Sequence, residues 1–221
     1  MHFLCLHGTG TSSKILEMQT AAFRYELGDG HTYDFVEGTF SESLAPEFKA
    51  FIPTETVGFS YFDLDPTRAS LQPVQDFEAF LAAEGPYDGV IAFSQGIILA
   101  STLILQNMQE QKPSPFKCAI FFSPRLGPMD YREFQKSGTV NEIRADQHAG
   151  VMTVPTALIW GSEDPDRPKA VEMQKLFSEG ALFTYMHSGG HTVPGVGSHL
   201  DLMRSVNVAR RAIELAAGDG N

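Results

Sequence analysis

Six short apolar runs, separated by helix-like segments, constrain the fold of this chain more than any other feature. They are His2–Leu6, Thr32–Val36, Gly89–Phe93, Cys118–Phe122, Thr156–Trp160 and Leu182–Met186. β-Branched and aromatic residues crowd them, and several are apolar nearly throughout instead of alternating. That is the pattern of strands buried on both faces. Helices are expected over Ser13–Leu27, Val74–Glu84, Gln95–Gln109, Pro168–Phe177 and Ser198–Ala217. Pro168 suits a first helical turn, and Gly85 and Gly180 suit positions just past helix ends. Strand and helix in alternation require right-handed crossovers. The expected class is therefore α/β, with a mostly parallel central sheet of about six strands and helices on both faces. No internal repeat, low-complexity tract or linker divides the 221 residues, so one domain over 1–221 is expected, with GDGN fraying at the end.

Two connections break this rhythm. Residues 38–73 and 124–150 show no sustained period, apart from a short helix expected near Tyr131–Lys136. Connections of that length are uncommon in a compact domain and often serve as lids or binding segments. Both follow the carboxyl ends of strands, the edge at which open α/β sheets bind ligands, and are expected to border a substrate pocket. The first contains Phe40, Phe48, Phe51, Phe59, Tyr61 and Phe62. These rings read either as a wall for a hydrophobic ligand or as packing beneath their own loop.

Charge and cysteines exclude several classes. With 16 basic and 27 acidic residues the net charge is −11, which argues against a nucleic-acid partner. Arg204, Arg210 and Arg211 read as the solvated face of the last helix. Cys5 and Cys118 make no disulfide framework and no four-ligand zinc site and read as small buried hydrophobes. MHFLCLHG opens on a strand without a basic leader or cleavage site, and Gly96–Leu105 is too short to span a bilayer. A soluble, cytoplasmic protein is the expectation.

Ser94 sits where one apolar run, Val90–Phe93, gives way to a second of helical rhythm. Serine is a favoured helix N-cap. In Ala92-Phe93-Ser94-Gln95-Gly96, however, small residues also stand two before and two after it. A nucleophile elbow needs that spacing, because the strand turns so sharply into its helix that bulky side chains there would collide. Such a turn exposes the hydroxyl above the sheet edge and aims the N–H of Gln95 at a reacting carbonyl. The glycine-rich turn His7-Gly8-Thr9-Gly10 after the first strand offers a second N–H, from Thr9, for the same oxyanion. Nucleotide motifs fit this turn badly. Ser13 stands where a dinucleotide fingerprint wants its third glycine, and the Gly-Lys-Ser/Thr order of a P-loop is absent. A nicotinamide oxidoreductase is disfavoured accordingly.

A serine at its ordinary pKa needs an adjacent base oriented by a third group. Asp164 lies in the loop after Thr156–Trp160, with Glu163 and Asp166 as rivals and a solvated acidic turn as the plain alternative. His191 lies in the glycine-rich loop after Leu182–Met186. His187 is nearer the strand and reads as packed, and His199 reads as a helix opener. A metal held by His187 and His191 would want a third ligand, and the sequence places none nearby. Ser94, Asp164 and His191 follow the chain order expected when all three come from loops on one edge of a hydrolase sheet.

LCLHGTGTS, AFSQG, IWGSEDP and HSGGHTVP, in that order and nearly end to end, resemble the landmarks of an α/β-hydrolase. More narrowly, they resemble the fungal family of small serine hydrolases, which includes esterases and polyketide-releasing thioesterases. The resemblance implies Ser94 as nucleophile, His191 as base then acid, Asp164 as orienting acid, and an oxyanion hole from the backbone of Thr9 and Gln95. It implies no metal or organic cofactor. Its substrate would be a hydrophobic ester or thioester, with a polyketide synthase carrier domain as a potential partner that a basic patch at the pocket mouth would have to receive. Ala92 departs from the more usual glycine at the elbow. Two other readings are a carboxylesterase acting on free small esters and a non-catalytic binding protein on a hydrolase scaffold.

Overall fold

The computed structural model describes residues 1–49, 56–63, 68–143, 145–195 and 197–218. Six strands form the central sheet: β1 (His2–Leu6), β2 (Thr32–Val36), β5 (Gly89–Phe93), β6 (Cys118–Phe122), β7 (Thr156–Gly161) and β8 (Leu182–His187). Their order is β2-β1-β5-β6-β7-β8 and every pairing is parallel. The helices are α1 (Ser13–Gln19), α2 (Ala21–Leu27), α3 (Gln72–Glu84), α4 (Gln95–Gln109), α5 (Tyr131–Ser137), α6 (Arg167–Gln174) and α7 (His199–Gly218).

The unbroken apolar runs find their reason in two cores. Leu4, Leu6, Val90, Ala92, Ala119, Phe121, Leu158 and Trp160 face one side, against α3, α4, α5 and α6. Phe3, Cys5, Ile91, Phe93, Cys118, Ile120, Phe122, Ala157 and Ile159 face the other, against α1, α2 and α7. Alternate residues thus point into opposite cores, so period two vanishes from the hydropathy pattern. Helix α4 is buried at every position from Gln95 to Asn107. Truncating a core residue such as Leu103 to Ala should cost about 2–5 kcal/mol. Cys5 and Cys118 are buried free thiols, and burial pushes the Cys118 thiol up to about 12.

Three expectations are corrected in detail. The expected helix over Ser13–Leu27 is two helices meeting at Thr20, whose hydroxyl donates back to the Leu16 carbonyl (2.7 Å) and ends the first of them. Within 38–73 the chain forms a small antiparallel hairpin, β3 (Phe40–Glu42) and β4 (Gly58–Ser60), strands too short to show any period. Of the three arginines in α7, Arg204 and Arg211 are exposed as expected, whereas Arg210 is half-buried and donates to the Glu26 carbonyl. Phe51 lies outside the described residues.

Candidate active site

The turn from β5 into α4 places Ser94 at φ 53° and ψ −112°, a left-handed conformation that costs a serine about 1–3 kcal/mol. No side-chain cap bond forms there, so the helix-cap reading does not describe this serine. At Gly96 an added Cβ would come 2.5 Å from the Leu6 carbonyl oxygen, so this second small position tolerates nothing larger. Ala92 is fully buried in the α4-side core, where its methyl is accommodated. The departure from glycine is therefore absorbed by packing, while the strict requirement falls on Gly96.

Ser94 Oγ lies 3.0 Å from His191 Nε2, and His191 Nδ1 lies 3.0 Å from Asp164 Oδ2. Residues far apart in sequence thus form one hydrogen-bonded line at the carboxyl edge of the sheet. Ser94 and Asp164 are buried, and the His191 ring packs 5.1 Å from Phe93. Asp164 Oδ1 accepts the Asp166 N–H at 2.9 Å, which fixes the carboxylate plane with Oδ2 toward the imidazole. The rivals stand aside. Glu163 is exposed, and the Asp166 carboxylate is paired with Arg125 at 3.4 Å. Asp164, Asp166 and His191 do bring ligand-type atoms within 4.8 Å of one another, yet each is already engaged in these contacts.

The loops that carry Asp164 and His191 are joined by their backbones. The Ser162 N–H donates to the His187 carbonyl (2.7 Å), and the Glu163 N–H donates to that of Gly189 (3.0 Å). His187 itself is buried, accepts the Gly189 N–H on Nδ1 at 3.1 Å, and is held below the usual imidazole pKa by burial. His199 is the first residue of α7, but the cap is Ser198, whose Oγ accepts the Asp201 N–H at 3.3 Å.

The turn after β1 lies against the elbow. A methyl on Gly8 would stand 2.9 Å from the Phe93 ring and 3.1 Å from Ser94 Cβ. Gln95 is the first residue of α4, so its N–H has no carbonyl partner within the helix. Among the described residues the Thr9 N–H also meets no acceptor. Around this turn runs a buried network that the motifs did not announce. Gln95 Oε1 accepts the Tyr61 N–H (2.7 Å); the Tyr61 hydroxyl accepts the His7 N–H (3.0 Å) and donates to the Val36 carbonyl (2.8 Å). His7 Nε2 lies 2.9 Å from the Gly38 N–H and 3.0 Å from Glu37 Oε1, and Nδ1 lies 2.8 Å from the Gly8 carbonyl. Burial keeps His7 below its usual pKa, against the opposing pull of that carbonyl and of Glu37. The sequence signal was the polar Gln95 and His7 set among apolar runs; only folding brings Tyr61 to them.

Beside this network, between α3 and the end of β2, lies a cavity of about 210 Å³ lined by Val36, Glu37, Tyr61, Phe77, Phe80 and Leu99. Ser94 is not among its lining residues; Tyr61, bonded to Gln95, is the link between the two.

A parallel sheet in this order, with a serine elbow after its third strand in space, defines an α/β-hydrolase. The chain belongs to the FSH1 serine hydrolase family, whose profile matches residues 1–202, and it is a serine hydrolase of the ester-cleaving kind. It is 37% identical over 218 residues to the esterase FPY3 of Fusarium mangiferae, covering 97% of this chain and 95% of that protein. It is 34% identical over 121 residues to the esterase alnB of Emericella nidulans, covering 54% of this chain and 42% of that protein. Among solved structures, the carboxylesterase of Mesorhizobium loti superposes with a TM-score of 0.60 at 18% identity, covering 97% of this chain and 88% of that one. No helix among the described residues is long and apolar enough to cross a membrane.

Proposed function

We propose that this chain hydrolyses esters or thioesters of hydrophobic acyl groups, with Ser94, His191 and Asp164 as its catalytic residues. The observation that carries the reading is the pair of 3.0 Å contacts running from Ser94 Oγ through both imidazole nitrogens to Asp164. Asp164 accepts from Nδ1–H and so leaves the Nε2 lone pair facing the hydroxyl. Ser94 attacks the carbonyl carbon while Nε2 takes the hydroxyl proton. The oxyanion is received by the Thr9 and Gln95 N–H groups, each such donor being worth roughly 10²–10³ in rate. The tetrahedral intermediate collapses as His191 returns the proton to the leaving alcohol or thiol. Water, deprotonated by the same imidazole, then releases the acid and regenerates Ser94.

The acyl group in this reading is a polyketide or fatty chain. Its support is the family resemblance together with the apolar lining that Tyr61, Phe77, Phe80 and Leu99 give the neighbouring cavity. The connection 38–73 contributes Thr39, Tyr61 and Pro73 to that lining, in keeping with a pocket-bordering role. The names of FPY3 and alnB favour an ester. The discriminating assay offers one acyl group in three forms: a free ester, a free thioester, and a thioester on a carrier protein. Turnover that rises with chain length supports the hydrophobic acyl class. Turnover confined to acetyl esters overturns it.

A further inference from the structure

We propose that Asp201 is a positioning residue that fixes the loop carrying His191, an inference that rests on the reading of His191 as the catalytic base. That connection, described at residues 188–195 and 197–198 between β8 and α7, contains Gly189, Gly190, Gly195 and Gly197. So glycine-rich a segment loses much conformational entropy when held in one geometry, so something outside it has to hold it. Asp201, in the first turn of α7, does this from beneath. Its Oδ2 accepts both the Ser188 N–H (3.1 Å) and the Ser188 hydroxyl (2.6 Å), and its Oδ1 accepts the Tyr185 hydroxyl. Its own N–H donates to Ser198 Oγ (3.3 Å), and its carbonyl accepts from Ser205 Oγ (2.7 Å). One residue therefore ties β8, the first residue of the loop and the residue that closes it.

The second anchor lies across the sheet edge, where Gly189 is held by the Glu163 N–H of the acid loop. Ser188 and Gly189 are thus pinned from opposite sides, immediately before the chain turns through Gly190 to His191. Asp201 does not touch the imidazole; it acts through Ser188. Asp201 is a buried residue whose carboxylate is bound by three neutral donors, the Ser188 N–H and hydroxyl and the Tyr185 hydroxyl, an arrangement that needs well-made hydrogen bonds. Those bonds, Ser188 foremost and Tyr185 next, hold its carboxyl well below the usual range. It therefore stays ionised, and a full acceptor, at neutral pH.

The test compares Asp201→Asn, Ser188→Ala and the wild type in three readouts: kcat against KM, the rate of fluorophosphonate labelling, and the low-field proton resonance of the His191–Asp164 hydrogen bond. Asp201→Asn should lower kcat and the labelling rate by about 10²-fold, with KM within roughly twofold, as expected when a reacting group is displaced by about an ångström. The resonance should broaden or vanish while the rest of the spectrum stays folded. Ser188→Ala, which keeps the backbone N–H bond, should give the same signature several-fold weaker. It carries the test should Asp201→Asn not fold. Folded variants with wild-type labelling rates and an intact resonance would overturn the proposal. Labelling that survives Ser94→Ala would instead overturn the catalytic reading, and the His191–Asp164 resonance in the Asp201 and Ser188 variants would then decide by itself whether Asp201 fixes the loop.

Discussion

Gly161, the last residue of β7, faces Gly189 so closely that a Cβ on it would lie 2.1 Å from the Gly189 carbonyl oxygen. The Gly190 carbonyl would be 2.3 Å away. The loops that carry Asp164 and His191 can therefore be joined by their backbones only because this strand ends in a residue without a side chain. Gly161→Ala should push the histidine loop off the acid loop and lengthen the His191–Asp164 contact. The expected result is a folded protein with a lower melting temperature and a kcat lower by about 10²-fold. Wild-type kcat in the alanine variant would show that the two loops are not coupled there.

The two nearby aspartates should separate cleanly. Asp164 meets Nδ1 of His191, whereas Asp166 pairs with Arg125. Asp164→Asn should cut kcat by about 10⁴-fold, because an amide favours the wrong imidazole tautomer. Asp166→Asn should cost no more than a few-fold. Steady-state kinetics of the purified variants decide it, and a larger loss from Asp166→Asn would reassign the acid.

Buried imidazoles make the fold sensitive to mild acid. His7 and His187 both have pKa values lowered by burial, so each binds fewer protons folded than unfolded. Protonation then favours the unfolded chain. Their stabilisation is whole above the ordinary imidazole value of 6.5 and is lost as pH falls through the lowered folded values. The melting temperature should decline as pH drops from about 7.5 to 5.5. His7→Asn should be less stable at neutral pH and should show a shallower decline. An unchanged slope in that variant would show that His7 does not contribute.

Much of this was legible before folding, for definite reasons. The four inner strands, buried on both faces, announce themselves as unbroken apolar runs. The half-exposed edge strands β2 and β8 do so by their aromatic and β-branched residues, so all six fell within one residue of their observed ends. Ser94 was legible because an elbow constrains its neighbours' size, and Gly96 against Leu6 shows that constraint at work. From the residues alone Asp164 could be placed in its loop but not separated from Glu163 and Asp166, since that turns on which carboxylate the loop aims at Nδ1; the family resemblance made the choice. The β3–β4 hairpin was invisible because three-residue strands carry no period, and the break at Thr20 because one hydroxyl bonding backward decides it. Asp201 gave no signal. An acidic residue in a first helical turn is ordinary, and its three acceptor contacts exist only once β8 and α7 are packed together.

The central claim is that the 3.0 Å contact between Ser94 and His191 makes an ordinarily inert hydroxyl reactive. Labelling the purified protein with a fluorophosphonate, followed by mapping of the modified peptide, tests it most directly. The account predicts stoichiometric modification at Ser94, lost in Ser94→Ala and slowed by orders of magnitude in His191→Ala, with both variants folded. Labelling that persists undiminished in Ser94→Ala, or that maps to another residue, would contradict it.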